Sequence, residues 1–378
     1  MKGSICKMKL RHRALSLILC AACIAGMAGC SNGGATSSNA TNNDGSQSKA
    51  GTTVSTKDKG TGKTITVGFS QVGAESDWRT ANTKSMKATF TSPNGYKLLF
   101  DDAQQKQANQ ITAIRNFIQQ GVDYILLAPV TETGWDTVLQ EAKSADIPVI
   151  VVDRMVKVKD DSLYTAWVGS DFRAEGDKAV AWLDSFLKSK GRDKDPINIV
   201  DIQGTIGASA QIGRTAALED GVKKHSNWKM AAQQTGEFTQ AKGQEVMESV
   251  LKQNSNIDVV YCENDNEAFG AIDAIKAAGK KVGTGKGEIM IMSFDSTSAG
   301  LKKVESGEIA LDTECNPLHG PRVKEIISKL QSKQSVDKRQ YVDEQMFAHD
   351  GTVKSVTIDK GTFTPTIVTD KVISGRAY

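Results

Sequence analysis

Tyr124-Ile-Leu-Leu-Ala128 and Pro148-Val-Ile-Val-Val152 are two short, unbroken apolar runs, with a helix-length stretch over 133–145 between them. A strand with one wet face alternates apolar and polar residues; runs without alternation suit a parallel sheet covered on both faces. The same unit recurs on either side. Ile65-Thr-Val-Gly-Phe-Ser70 and Tyr96-Lys-Leu-Leu-Phe100 read as strands, followed by helices over 78–90 and 105–120. In the second helix Ile111, Ile114, Phe117 and Ile118 share one face. A strand over Leu163 to Val168 closes this first set.

The pattern then starts again. Strands are predicted at Ile197–Val200, within 228–235, and at Val259–Cys262, Ile289–Phe294 and Ile309–Asp312. Helices are predicted over 173–190, 208–224, 239–251, 266–278, 298–306 and 321–330. Two consecutive βα sets give two doubly wound α/β lobes. A folded part of about 315 residues also exceeds what one core usually serves.

Upstream of these sets the chain has another character. Lys2, Lys7, Lys9, Arg11 and Arg13 precede an apolar run, Ala14 to Met27, and then Ala28-Gly29-Cys30. That is the pattern of a secretory signal, and the run is shorter than the roughly 20 residues a membrane span needs. Residues 31–60 are rich in Gly, Ser, Asn and Thr and read as a flexible tether. Removing the five leader cations from 47 basic residues leaves 42 against 44 acidic, so the formal +3 becomes −2. A near-neutral chain gives no footprint for nucleic acid. With four histidines, one of them His12 in the leader, and no ligand cluster at metal spacing, no metal and no cofactor are expected. Cys262 and Cys315 remain after Cys30, and a bridge between them is left open.

In open α/β sheets ligands sit beyond the carboxyl ends of the strands. Polar residues collect there: Asp101, Asp102, Asp153, Arg154, Glu263, Asn264, Asp265, Asp295 and Glu314. Any one of them alone is as well explained by an Asx-turn or a helix cap. The turn Gly204-Thr-Ile-Gly-Ala208 fits neither the Walker pattern nor the dinucleotide fingerprint.

Ordered stretches from Ile65 to Gly320 carry a family resemblance. They include Val67-Gly-Phe-Ser-Gln-Val-Gly73, Trp78-Arg79, Gln119-Gln-Gly-Val-Asp123, Thr133-Gly-Trp135, Val152-Asp-Arg154, Gln203-Gly-Thr-Ile-Gly-Ala-Ser209, Lys242-Gly-Gln-Glu-Val-Met-Glu248 and Asn264-Asp265. The chain resembles the periplasmic sugar-binding proteins of ABC importers, ribose/galactose type, and most of all their galactofuranose-binding members. The stretch Gly26 to Cys30 likewise resembles a lipobox, which implies lipidation of Cys30 and an extracytoplasmic protein held at the cell membrane.

The resemblance implies a type I periplasmic-binding-protein fold, two lobes joined by a three-strand hinge. The implied organisation is a signal peptide over 1–29, a tether over 30–62, one lobe from 63–167 with 316–342, and another from 168–315 with 343–378. It implies a monomer without enzymatic turnover that captures a monosaccharide (galactofuranose, galactose or similar) and passes it to an ABC permease and ATPase complex. The implied sugar contacts are Trp78 and Phe238 as stacking rings, with Arg79, Asp101, Asp153, Arg154, Ser209, Asn264, Asp295 and Glu314 as polar partners. Ile212 stands where ribose binders carry an arginine, which leaves Arg214 a structural role. Two alternatives remain: a receptor presenting its sugar to a membrane sensor kinase or chemoreceptor, and an extracytoplasmic sugar-processing enzyme, since paired carboxylates also serve glycosidases. A two-lobed DNA-binding regulator would need a helix-turn-helix where the leader stands.

Overall fold

The computed structural model describes residues 63–378; the leader, Cys30 and the tether lie outside the described residues. The first half runs β1 (Ile65–Gln71), α1 (Asp77–Thr89), β2 (Tyr96–Asp102), α2 (Gln107–Gln119), β3 (Tyr124–Leu127), α3 (Asp136–Ser144), β4 (Val149–Val152) and β5 (Ala166–Gly169). There follow α4 (Phe172–Ser189), β6 (Ile197–Gln203), α5 (Ser209–Lys224), β7 (Trp228–Thr235), α6 (Gln240–Gln253), β8 (Val259–Cys262), α7 (Asp265–Ala277), β9 (Met290–Asp295), α8 (Ser298–Glu305) and β10 (Leu311–Glu314). The chain ends with α9 (Gly320–Gln331), β11 (Arg339–Tyr341), β12 (Met346–Ala348), a small hairpin of β13 (Val356–Ile358) and β14 (Gly361–Phe363), β15 (Thr366–Ile367) and α10 (Asp370–Ser374).

Two sheets form, in the orders β11-β5-β4-β3-β1-β2 and β15-β12-β10-β9-β8-β6-β7. The core strands of both are parallel. Each sheet reverses direction of winding once, at β1/β3 in the first and β6/β8 in the second, and such switch points are where open α/β sheets hold ligands. Each sheet is covered on both faces, as the unalternating strands require. One face of the first carries Phe69, Leu126 and Ile150, and the other carries Ile125, Leu127 and Val151. In the second, Ile199, Tyr261 and Met292 face one core, and Val200, Val260 and Ile291 the other.

Local chemistry sets where helices begin. The Ser76 hydroxyl accepts from Arg79 N at the start of α1, and Asp171, Thr239, Asn264 and Thr297 do the same for α4, α6, α7 and α8. Boundaries shift from expectation where a cap intervenes. The strand expected from Leu163 begins at Ala166, because Asp160 accepts from Ser162 N and winds 161–163 into a short helical turn.

The chain passes between the sheets three times, through 170–171, 315–319 and 342–345. These three crossovers are the hinge, and backbone hydrogen bonds from Val342 N to Gly169 O and from Glu314 N to Gln345 O draw them side by side. Cys262 and Cys315 are both buried and unbridged. Cys262 packs in a core of the second sheet, whereas Cys315 lies on a crossover.

Candidate functional site

A cavity lies between the sheets, at their carboxyl edges. One wall comes from the loop after β1, the first turn of α1 and the end of β4: Glu75, Trp78, Arg79, Asp153 and Arg154. The other comes from the second sheet: Arg214, Phe238, Asn264 and Asp295, with Phe172 and Cys315 beside the crossovers. Trp78, Phe172, Phe238, Ala208, Ala210 and Cys315 also form a small apolar cluster of their own, which neither sheet's main cores include.

On the first wall the cap at Ser76 turns Trp78 and Arg79 inward. Trp78 Nε1 donates to Cys315 O at 2.7 Å, which fixes the ring, and the Arg79 guanidinium lies 4.5 Å from the ring centroid. Arg79 Nε donates to Glu75 Oε1 at 3.0 Å, and its Nη1 lies 2.8 Å from Asp153 Oδ2. Burial alone would lower the Arg79 pKa, but Asp153 and Glu75 outweigh it and hold it raised. Arg154 has the opposite balance: burial first, then the neighbouring Arg79, push its guanidinium down to about 10. Arg154 Nη1 donates to Val130 O at 3.0 Å, and its guanidinium reaches over the facing wall to within 4.9 Å of the Phe238 ring centroid.

On the second wall Arg214 is the hub. Its Nε and Nη2 reach Glu175 Oε2, each at 2.8 Å, Nη1 donates to Glu263 O at 2.5 Å, and Nη2 stands 3.7 Å from Asp295 Oδ1. Burial pushes the Asp295 carboxyl well up, against the pull of Arg214. Asn264 is a helix cap as well as a wall residue: Oδ1 accepts from Glu267 N, and Nδ2 donates to Phe238 O at 3.1 Å.

Three wall residues sit in left-handed backbone, Asp153 at φ 65°, Phe238 at φ 61° and Asp295 at φ 105°. Non-glycine residues adopt such angles at a cost, and they gather where function over-determines them. Two glycines make room for them. A Cβ at Gly204 would fall 1.9 Å from Phe238 Cζ, and one at Gly169 would fall 2.3 Å from Asp153 O.

The lobes are closed in this conformation. Asp77 N donates to Asn266 Oδ1 at 3.0 Å, Glu132 N to Gly207 O at 2.8 Å, and Met155 N to Ser209 Oγ at 2.8 Å, all across the cleft. Ser209 is thus a latch between lobes and does not line the cavity. Asp101 does not line it either: β2 is an edge strand, one place removed from the switch point. Glu314 ends β10 facing away, held by Gln345 N, Arg376 Nη1 and Tyr378 OH at 2.7–2.8 Å, and Cys315 takes its place at the wall. Arg214, expected to be structural, lines the cavity, whereas Ile212 is exposed. Glu75 and Phe172 were not anticipated. Glu75 stands four residues before Arg79, a spacing that pairs charges and is the only local sign of it.

The cavity's ionisable lining has three arginines and three carboxylates, so it suits a ligand without net charge. Glu75 Oε2 is buried without a hydrogen-bond partner, whereas Asp153 Oδ2 and Arg214 Nη2 are held only by their ion pairs with Arg79 and Glu175. A buried polar atom left without a partner calls for a polar guest. Rings beside alternating donors and acceptors match a small molecule with apolar faces and many hydroxyls.

A model of the periplasmic binding protein domain matches residues 67–313. The chain belongs to the periplasmic binding protein family. The galactofuranose-binding protein YtfQ of Escherichia coli is 44% identical over 261 residues, covering 68% of this chain and 79% of that one. A crystal structure from Mycobacterium smegmatis in complex with β-D-fucofuranose is 43% identical, covers 76% of this chain and 92% of that one, and superposes with a TM-score of 0.72. The binding component of the arabinose ABC transporter from Shewanella sp. ANA-3, bound to α- and β-L-arabinofuranose, is 43% identical, covers 76% and 93%, and gives a TM-score of 0.70. Among the members of its family, the chain thus stands with sugar-binding components of ABC importers.

Proposed function

We propose that this protein captures a monosaccharide in its five-membered ring form and delivers it to an ABC importer, without chemical turnover. The observation that carries the reading is the cavity itself: arginines and carboxylates in equal number, rings on both walls, and a buried Glu75 oxygen awaiting a partner. The named ligands of its relatives support the ring form, since galactofuranose, fucofuranose and arabinofuranose all have it. Closure around the sugar supplies contacts from both lobes at once, so the ligand shifts the open–closed balance toward closed. The leader and Cys30 support export and lipid anchoring at the membrane. A Cys30→Ser chain recovered in the soluble fraction, with the parent in the membrane fraction, is the check on that anchor.

Calorimetry with galactose, arabinose and fucose, beside their furanose-locked and pyranose-locked anhydro-alditols, tests the ring form. One sugar per chain, bound at least tenfold tighter as the furanose-locked form, is expected. Equal or tighter binding of the pyranose-locked form overturns the ring assignment, and release of a new product on incubation overturns the binder.

A further inference from the structure

Beside the cavity, at the hinge, three side chains from the crossovers come together. Glu175 lies in the first turn of α4, just past the first crossover; Cys315 lies on the second crossover and Glu344 on the third. One donor atom from each lies within 4.8 Å of the other two. Glu344 already draws the crossovers together: its Oε1 accepts from Ser170 Oγ at 2.6 Å and from Asn316 N at 2.7 Å. Glu175 is the informative member. Its Oε2 is taken by Arg214, while Oε1 is buried with no hydrogen-bond partner, on a side chain only 1% exposed. A carboxylate oxygen left bare at that depth is costly until a cation or donor reaches it.

We propose that Glu175, Cys315 and Glu344 bind a thiophilic divalent cation of the zinc class. One thiolate and two carboxylates suit zinc, which takes sulfur at about 2.3 Å and oxygen at about 2.0 Å. Donors around one tetrahedral zinc stand roughly 3.3–3.7 Å apart, so the group closes on the ion through a contraction of about 1 Å. Arg214 beside Glu175 and Lys178, the cation that acts on Glu344, add to the ion's two charges against the thiolate and the two carboxylates. The Cys315 thiol gives its proton to solvent as the metal–sulfur bond forms. Three protein ligands leave a fourth position for water. Cys315 also lines the cavity, so the ion enters through the open cleft. Once bound it ties the second and third crossovers to the helix that follows the first, and so holds the hinge. The three ligands lie far apart in the chain, and the spacing of His and Cys along it gives no sign of them.

Cobalt(II), a spectroscopic stand-in for zinc, tests the site on the full chain. One equivalent is expected to bind with a near-ultraviolet thiolate-to-cobalt charge-transfer band that zinc abolishes. Cys262→Ser should keep the band, Cys315→Ser should lose it, and Glu344→Gln should weaken cobalt binding at least tenfold. Circular dichroism checks that the variants are folded; where Cys315→Ser is not, the affinity of Glu344→Gln decides. Absence of a thiolate band, its persistence in Cys315→Ser, or an unchanged affinity in Glu344→Gln overturns the proposal.

Discussion

Asp201 offers a test of the second lobe's electrostatics that can be worked through from the structure. It lies fully buried in β6, opposite Gln233 of β7 and Tyr261 of β8. Burial pushes its carboxyl from 3.8 up to about 7, against the Gln233 hydrogen bond and with help from Glu219. The folded state therefore keeps a proton that the unfolded chain releases near pH 4. Stability from this group is complete below that pH and is lost as the pH rises toward 7. A shift of about 3 units is worth about 4 kcal/mol in total, of which roughly 2–3 kcal/mol falls between pH 5 and pH 8. Glu263, Glu267 and Asp312 are also raised by burial, so the wild-type decline has further contributors. Asp201→Asn removes this group, because the amide stays neutral throughout, and the relief it gives Glu263 and Glu267 acts in the same direction. Urea unfolding of the sugar-free protein, followed by tryptophan fluorescence at both pH values, reads the difference. The variant's stability relative to wild type should improve by roughly 2–3 kcal/mol from pH 5 to pH 8. An offset that is the same at both pH values would refute the reasoning, since Asp201 would then be ionised in the fold.

Two further outcomes concern the cavity. Trp78→Ala removes one ring and its hydrogen bond to Cys315 O, and sugar affinity by calorimetry should fall at least about tenfold, as expected for a buried aromatic anchor; an unchanged Kd would reject its role. Gly204→Ala forces the Phe238 ring off its place, since the new methyl would stand 1.9 Å from Cζ. Overpacking of that kind costs about 1–3 kcal/mol of stability, and affinity should drop on the order of tenfold; retained affinity in a folded variant would show that Phe238 is not a contact.

Much of the fold was legible because its signals are local. The run from Tyr124 to Leu127 and its relatives are apolar on both sides, which only a doubly covered strand explains, and capping residues such as Ser76 and Thr297 stand where helices start. Boundaries were less legible: β10 begins two residues later than expected, at Leu311, where pairing with β9 and β12 sets it. At the site, Trp78, Arg79, Asp153, Arg154, Phe238, Asn264 and Asp295 all reach the cavity. Asp101, Ser209 and Glu314 do not. Ser209 and Glu314 have the right chemistry at the right end of an element but are turned to other partners, Met155 N and Arg376, and Asp101 stands on an edge strand.

The sequence by itself determined the alternation of strands and helices, the two sets of βα units, and which polar residues collect at the carboxyl ends of strands. Those properties follow from neighbours a few residues apart. The tertiary structure alone decided which of those side chains face one another. Sheet order put β2 at an edge and withdrew Asp101; the direction in which β10 leaves its sheet turned Glu314 outward and Cys315 inward; the packing of α5 against β6 and β7, with hydrogen bonds to Tyr261 and Glu263, carried Arg214 to the wall. One residue's step along an extended segment reverses the face on which a side chain lies. The pairings that fix such steps join residues far apart in the chain, as Arg154 with Phe238 and Glu175 with Arg214, and local pattern holds no record of them.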